Sequence, residues 1–103
     1  MNRYRIASVS EIPLGEGREF VVAGRIVAVF HVDGGFQALD GICPHAGGPL
    51  ARGVMTGNIV TCPWHGWQFD VQTGRHCLNA QLRHSSFPVS VEESDLWIEL
   101  PET

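Results

Sequence analysis

Residues Cys43 to Asp70, CPHAGGPLARGVMTGNIVTCPWHGWQFD, decide how this chain is read. They contain two Cys-His pairs, Cys43-x-His45 and Cys62-x-x-His65, with sixteen residues between His45 and Cys62. Each pair lies in a Gly/Pro-rich stretch, the composition of a tight loop rather than of a strand or helix interior. Two such loops can close over one metal centre, each bringing one thiolate and one imidazole. Gly47, Gly48 and Pro49 in the first stretch are expected to serve loop geometry, because backbone amides must come close to the centre.

The iron–sulfur arrangement that needs two thiolates and two imidazoles is a [2Fe-2S] cluster with both cysteines on one iron and both histidines on the other. Ligand order, both short spacings and the flanking Pro44, Gly66 and Asp70 make the chain resemble a Rieske protein over nearly its whole length. The resemblance implies Cys43, His45, Cys62 and His65 as the ligands of one [2Fe-2S] cluster. Replacing two thiolates by neutral imidazoles removes two negative charges from the ligand shell, so an electron is accepted more easily. Potentials accordingly run from about −150 to +300 mV, against roughly −400 mV for an all-cysteine plant-type cluster. Each iron-bound imidazole keeps a second nitrogen, so His45 and His65 are placed to couple electron uptake to protonation. In the high-potential members of the family two further cysteines bridge the loops, and the matching positions here are Gly48 and Trp64. Those members also donate hydrogen bonds to the cluster from a Ser and a Tyr, where this chain has Trp67 and Phe69. Such donors stabilise the more negative, reduced state, so the sequence is expected to hold a low-potential centre.

Composition narrows the rest. At 103 residues the chain is expected to be one small domain, with no room for a second catalytic one. It is 44% hydrophobic and 17% charged with a net charge of −4, an ordinary globular balance without the basic footprint of a nucleic-acid binder. The N-terminus lacks an apolar segment behind Arg3 and Arg5, and nowhere do eighteen apolar residues run together, so a cytoplasmic protein without a membrane span is expected. Three cysteines leave Cys77 over once Cys43 and Cys62 are ligands, an odd number that suits a reducing compartment. Cys77 itself is expected to be a small buried hydrophobe, with a third thiolate ligand as the remote alternative.

The hydropathy pattern is that of strands. Tyr4–Ala7, Glu19–Val22, Arg25–Val32 and Phe36–Leu39 read as a first strand and a meander, with turns at Ala23-Gly24 and Asp33-Gly34-Gly35. Ser10-Glu11 begins one helical turn at most. Ile59–Thr61 leads into Cys62 and Trp67–Asp70 leads out, which makes the second ligand loop the tip of a hairpin. Thr56-Gly57-Asn58 and Gln72-Thr73-Gly74 are turns, and Arg75 to His84 has no regular pattern. Phe87–Val91 and Leu96–Leu100 alternate around the polar turn Glu92-Glu93-Ser94-Asp95. The expected fold is all-β: an antiparallel sandwich or barrel formed by residues 1–41 and 71–103, carrying a two-loop cluster-binding part at about 42–70, as the resemblance also implies.

Of the remaining candidates, His31, His76 and His84 are expected to bind no metal, since they form no close pair and no grouping with a carboxylate. Trp64 is expected to pack on the loops, with partner docking as the alternative. Trp67 and Trp97 are expected to be structural, and Arg52 and Arg75 solvated, with a bias on docking as their other role. The leading function is a Rieske-type ferredoxin that takes one electron from a flavin-dependent reductase and gives it to a terminal oxygenase, partners that the resemblance supplies. The small subunit of an NAD(P)H nitrite reductase, working with its large subunit, is the second reading. A structural zinc site is chemically possible with two cysteines and two histidines, but such sites usually bring their cysteines together and their histidines together.

Overall fold

The computed structural model describes residues 2–42, 49–63, 66–75, 77 and 85–101. Among them every regular element is a strand or a single 3-10 turn. In chain order the strands are β1 (Asn2–Ser8), β2 (Gly17–Val22), β3 (Arg25–Val32), β4 (Gly35–Asp40), β5 (Val54–Thr56), β6 (Ile59–Thr61), β7 (Gln68–Asp70), β8 (Ser86–Phe87), β9 (Val89–Glu92) and β10 (Asp95–Leu100). The 3-10 turns are Val9–Glu11 and Leu50–Arg52. All pairings are antiparallel and form three sheets, ordered β1-β10-β9, β2-β3-β4-β8 and β5-β6-β7.

The all-β expectation is met, and the physical reason lies in β3. Its sequence, RIVAVFHV, is apolar at nearly every position instead of alternating. Side chains of a strand point alternately to its two faces, so such a run is stable only where both faces are covered. Val27 and Val29 enter one core with Ile12, Ala38, Phe87, Leu96, Ile98 and Leu100. Ala28, Phe30 and Val32 enter a second core with Leu39, Leu50, Val60, Cys62, Phe69 and Val71. The β1-β10-β9 sheet thus covers one side of β3, and the β5-β6-β7 sheet covers the other.

The sequence reading placed most strands within a residue or two of their observed ends. It missed β5 and the turn at Leu50–Arg52, which lie within the 50–61 insert, and it merged β8 and β9. Cys77 is a correction: it is exposed, not buried. Its backbone N–H donates to the Gln68 carbonyl at 2.9 Å, so Cys77 runs along the outer edge of β7, beside a residue that is itself exposed. Most of the segment 75–84 lies outside the described residues. Trp97 stands in β10 with the Arg3 guanidinium 4.4 Å from its ring centroid, and Arg3 also pairs with Glu92 across the sheet.

Two hairpin turns have the same backbone geometry and different residues. Ala23-Gly24 (φ 51° and 77°) joins Val22 to its partner Arg25, and Glu93-Ser94 (φ 51° and 71°) joins Glu92 to its partner Asp95. Both are two-residue turns with positive φ at each central position, a geometry that favours Asn-Gly. Glu93 and Ser94 carry the steric cost of the left-handed region that Gly24 avoids. Ser94→Gly is expected to stabilise the fold by about 0.5–1 kcal/mol and raise Tm by a few degrees. Thermal unfolding followed by circular dichroism checks this, and an unchanged or lowered Tm would contradict it.

Candidate metal centre

The two ligand stretches leave the fold from stems that backbone hydrogen bonds close. In the second, β6 and β7 pair through Thr61↔Gln68, and one step further out the Cys62 N–H donates to the Trp67 carbonyl at 2.7 Å. The Gln68 side-chain amide reinforces the same level by donating to Thr61 Oγ1 at 3.2 Å. The chain must turn back between Cys62 and Trp67, and it does so with Gly66 at φ 72°, where a side chain would be strained. Beyond β7 the Asp70 carboxylate accepts the Gln72 N–H at 2.8 Å, while the Asp70 carbonyl accepts the Gly74 N–H at 2.7 Å. The family-matching Asp70 therefore holds the turn that follows the hairpin.

The first stretch is closed at its neck. Ile42 and Pro49 form an isolated antiparallel bridge, and the Leu50 N–H donates to the Gly41 carbonyl at 3.0 Å. The Gly41 N–H donates to the Ile26 carbonyl of β3 at 2.9 Å, and the Ile42 N–H donates to the Asp40 carboxylate at 3.1 Å. Six residues, 43–48, span the neck. Asp40 and Gly41 are residue types that favour such a turn, which the sequence reading did not single out. Neither the bridge nor the 3-10 turn that follows it was legible in the residue order.

Of the four expected ligands, Cys62 lies among the described residues, and Cys43, His45 and His65 lie outside them, as do Trp64, His76 and His84. Cys62 is 1% exposed and packs into the core with Leu50, Val60 and Phe69. Trp67 is half-buried against this core, its ring centroid 6.3 Å from that of the buried Phe69. Neither side chain carries a hydroxyl. His31 lies elsewhere: its Nδ1–H donates to the Ile12 carbonyl at 2.8 Å and its ring stacks on Phe36 at 4.1 Å. Among the described residues no group of three His, Cys, Asp or Glu side chains converges as a metal site. Arg52 and Arg75 are exposed.

These features fit a [2Fe-2S] group. A thiol donor is fixed at the top of a locked hairpin, with an apolar wall behind it and the exposed Pro63 and Gly66 close to it in the chain. Such a wall keeps water from the sulfur on one side and lets electrons reach the surface on the other.

Comparison with known proteins agrees with this geometry. The Rieske [2Fe-2S] domain family matches residues 2–91. The 3-phenylpropionate/cinnamic acid dioxygenase ferredoxin subunit of Shigella boydii serotype 4 (strain Sb227) is 35% identical over 99% of this chain and 97% of its own. Among solved structures, a complex of reduced oxygenase and oxidized ferredoxin in carbazole 1,9a-dioxygenase contains a chain that superposes with a TM-score of 0.85, at 26% identity over 93% of this chain and 91% of that one. The small subunit of a putative NADPH nitrite reductase shares the fold at a TM-score of 0.84 and 17% identity, covering 97% of this chain and 100% of its own. The match to the family, over most of the length and through both ligand stretches, makes this chain a member of the Rieske [2Fe-2S] domain family.

Proposed function

We propose that this protein is a low-potential one-electron carrier, the ferredoxin component of an oxygenase system, with Cys43 and Cys62 on one iron of its cluster and His45 and His65 on the other. The observation that carries the reading is the stem of the second loop: Cys62, 1% exposed and with its amide bonded to Trp67, stands at the tip of the β6–β7 hairpin. When bound, the cluster accepts and releases one electron at a time. The chain's own part is to hold the donors on rigid stems, so that the ligand shell is the same before and after the electron moves. The cluster-binding part is read as about 42–70, and the base as 1–41 and 71–103.

The electron donor in this reading is a flavin-dependent reductase and the acceptor a terminal oxygenase. Support comes from the near full-length likeness to a dioxygenase ferredoxin subunit and from the carbazole 1,9a-dioxygenase ferredoxin, whose structure includes its oxygenase. The protein itself is not an enzyme here but the carrier between two. A cytoplasmic setting belongs to the same reading: among the described residues no helix is long and apolar enough to cross a membrane, and the Cys77 thiol is exposed. The small subunit of a nitrite reductase is the alternative. Its likeness is one of fold, and many members of that family lack some of the ligands, whereas all four positions are filled here.

The first test is an EPR-monitored redox titration of the purified protein. Mixed Cys/His ligation predicts a signal of low average g on reduction and a midpoint below zero, in the lower part of the range of about −150 to +300 mV. Cys62→Ser should abolish it. A colourless protein holding zinc without sulfide, or an all-cysteine type of signal, would overturn the ligand assignment. Steady transfer of electrons from an NADH-driven flavin reductase to an aromatic-ring oxygenase checks the role, and co-purification with a large sirohaem subunit would favour the alternative.

The low potential has its own test. Trp67→Ser combined with Phe69→Tyr supplies the two hydroxyl donors this chain lacks. One added charge-assisted hydrogen bond of about 1.5 kcal/mol to the reduced cluster corresponds to a rise of roughly 65 mV in midpoint. A shift of that sign and order is expected, and no shift in a variant that keeps its cluster would remove the explanation.

A further inference from the structure

Between the neck of the first ligand loop and the strand that carries Cys62 the chain has very little length. From Pro49 it makes the 3-10 turn Leu50–Arg52, in which the Arg52 N–H donates to Pro49 and the Gly53 N–H to Leu50, both at 3.0 Å. It then enters β5, which pairs with β6 from Val54↔Thr61 onward. Gly53 is the residue one step before that pair, and by the antiparallel register it stands opposite Cys62. Leu50 and Ala51, in the same turn, are buried in the core that includes Cys62 and Val60. The two loops, separate in sequence, are thus clamped together through three residues and one glycine.

That glycine has no space for a side chain. A Cβ at Gly53 would lie 2.3 Å from the Thr61 carbonyl oxygen, 2.8 Å from Val60 Cγ2 and 3.1 Å from the Leu50 carbonyl oxygen. Two of the three obstacles are backbone, one on each side of the clamp, so neither can turn away as a side chain would. The φ before the strand is an ordinary −69°, so close approach and not backbone freedom requires glycine here. Adding one methyl group must push the Leu50 turn away from β6, and the neck of the first loop is bonded to that turn.

We propose that Gly53 is a positioning residue for the iron–sulfur centre: it sets the separation of the two ligand loops, and hence whether their four donors reach one cluster with the same geometry. This inference rests on the ligand assignment proposed above. It goes further in naming the element that couples the loops, and the coupling is steric.

The test compares Gly53→Ala with Gly57→Ala. Gly57 sits in the turn at the other end of the same hairpin, at φ 59° with no atom within 4 Å of an added Cβ, so its substitution strains the β5–β6 turn without driving the loops apart. Wild-type and both variants are reconstituted, and iron and sulfide per chain, EPR g-values and the rate of cluster loss to a chelator are measured alongside Tm. Overpacking against backbone at Gly53 is expected to speed cluster loss roughly tenfold and to shift the g-values, with Gly57→Ala close to wild type in both at a similar loss of Tm. If Gly53→Ala does not accumulate folded, inserting one glycine after Arg52 lengthens the same tether without a new Cβ and carries the same expectation. Wild-type g-values and loss rate in the variant measured, or equal losses in Gly57→Ala, would overturn the role of Gly53. A wild-type protein that takes up no [2Fe-2S] cluster would instead overturn the ligand assignment on which the inference rests.

Discussion

The structure depends on the burial of β3 on both faces. A strand with apolar residues at nearly every position cannot sit at the surface of a sandwich, and here each face is consumed by a different sheet. Leu96, Ile98 and Leu100 complete one core, and Leu50, Val60, Phe69 and Cys62 complete the other. The β5-β6-β7 sheet is therefore not an appendage resting on a finished domain. Its inner face is half of a hydrophobic core, and the backbone of β3 at Ile26 also accepts the hydrogen bond that anchors Gly41 at the neck of the first loop.

That arrangement answers the demand an electron carrier makes on its scaffold. A donor set that relaxed each time an electron arrived would slow transfer, so the donors must already be where both redox states want them. Short strands such as β6 and β7 would be marginal alone. They become stiff because Phe69 and Val60 are buried under β3, because Asp70 holds the turn beyond β7, and because the stem is closed at Cys62 itself. The same burial places Phe69 inside the core and Trp67 against it, so the two positions at which the proposed low potential is read are also packing positions.

Legibility in the sequence followed the range of each interaction. The paired Cys-His motifs, the hairpin around the second of them and the turns at Ala23-Gly24 and Glu93-Ser94 are local, and a reader of residue order finds them. Features made by contact between distant segments were not readable. The Ile42–Pro49 bridge and the packing of the Leu50 turn on β6 have no periodicity to betray them, and β5 is only three residues long. Cys77 was misjudged because residue type predicts burial only on average, while its position along the outer edge of β7 is a matter of pairing. The apolar run of β3 was visible, but it takes the structure to show that two separate sheets share it.

The pairing of β1 with β10 orders events in time. Asn2 meets Leu100 and Ser8 meets Asp95, so the first strand made is completed by the last. On a chain emerging from its N-terminus, β1 waits through the synthesis of every other strand with its hydrogen-bonding groups open to water. The β5-β6-β7 sheet needs only residues 54–70, all close in sequence, and it has the low loop-closure cost that goes with short range. The hairpin that carries Cys62 is complete in residue order well before β1 meets its partner, so this short-range sheet can form while the sheet on the other side of β3 is still unfinished.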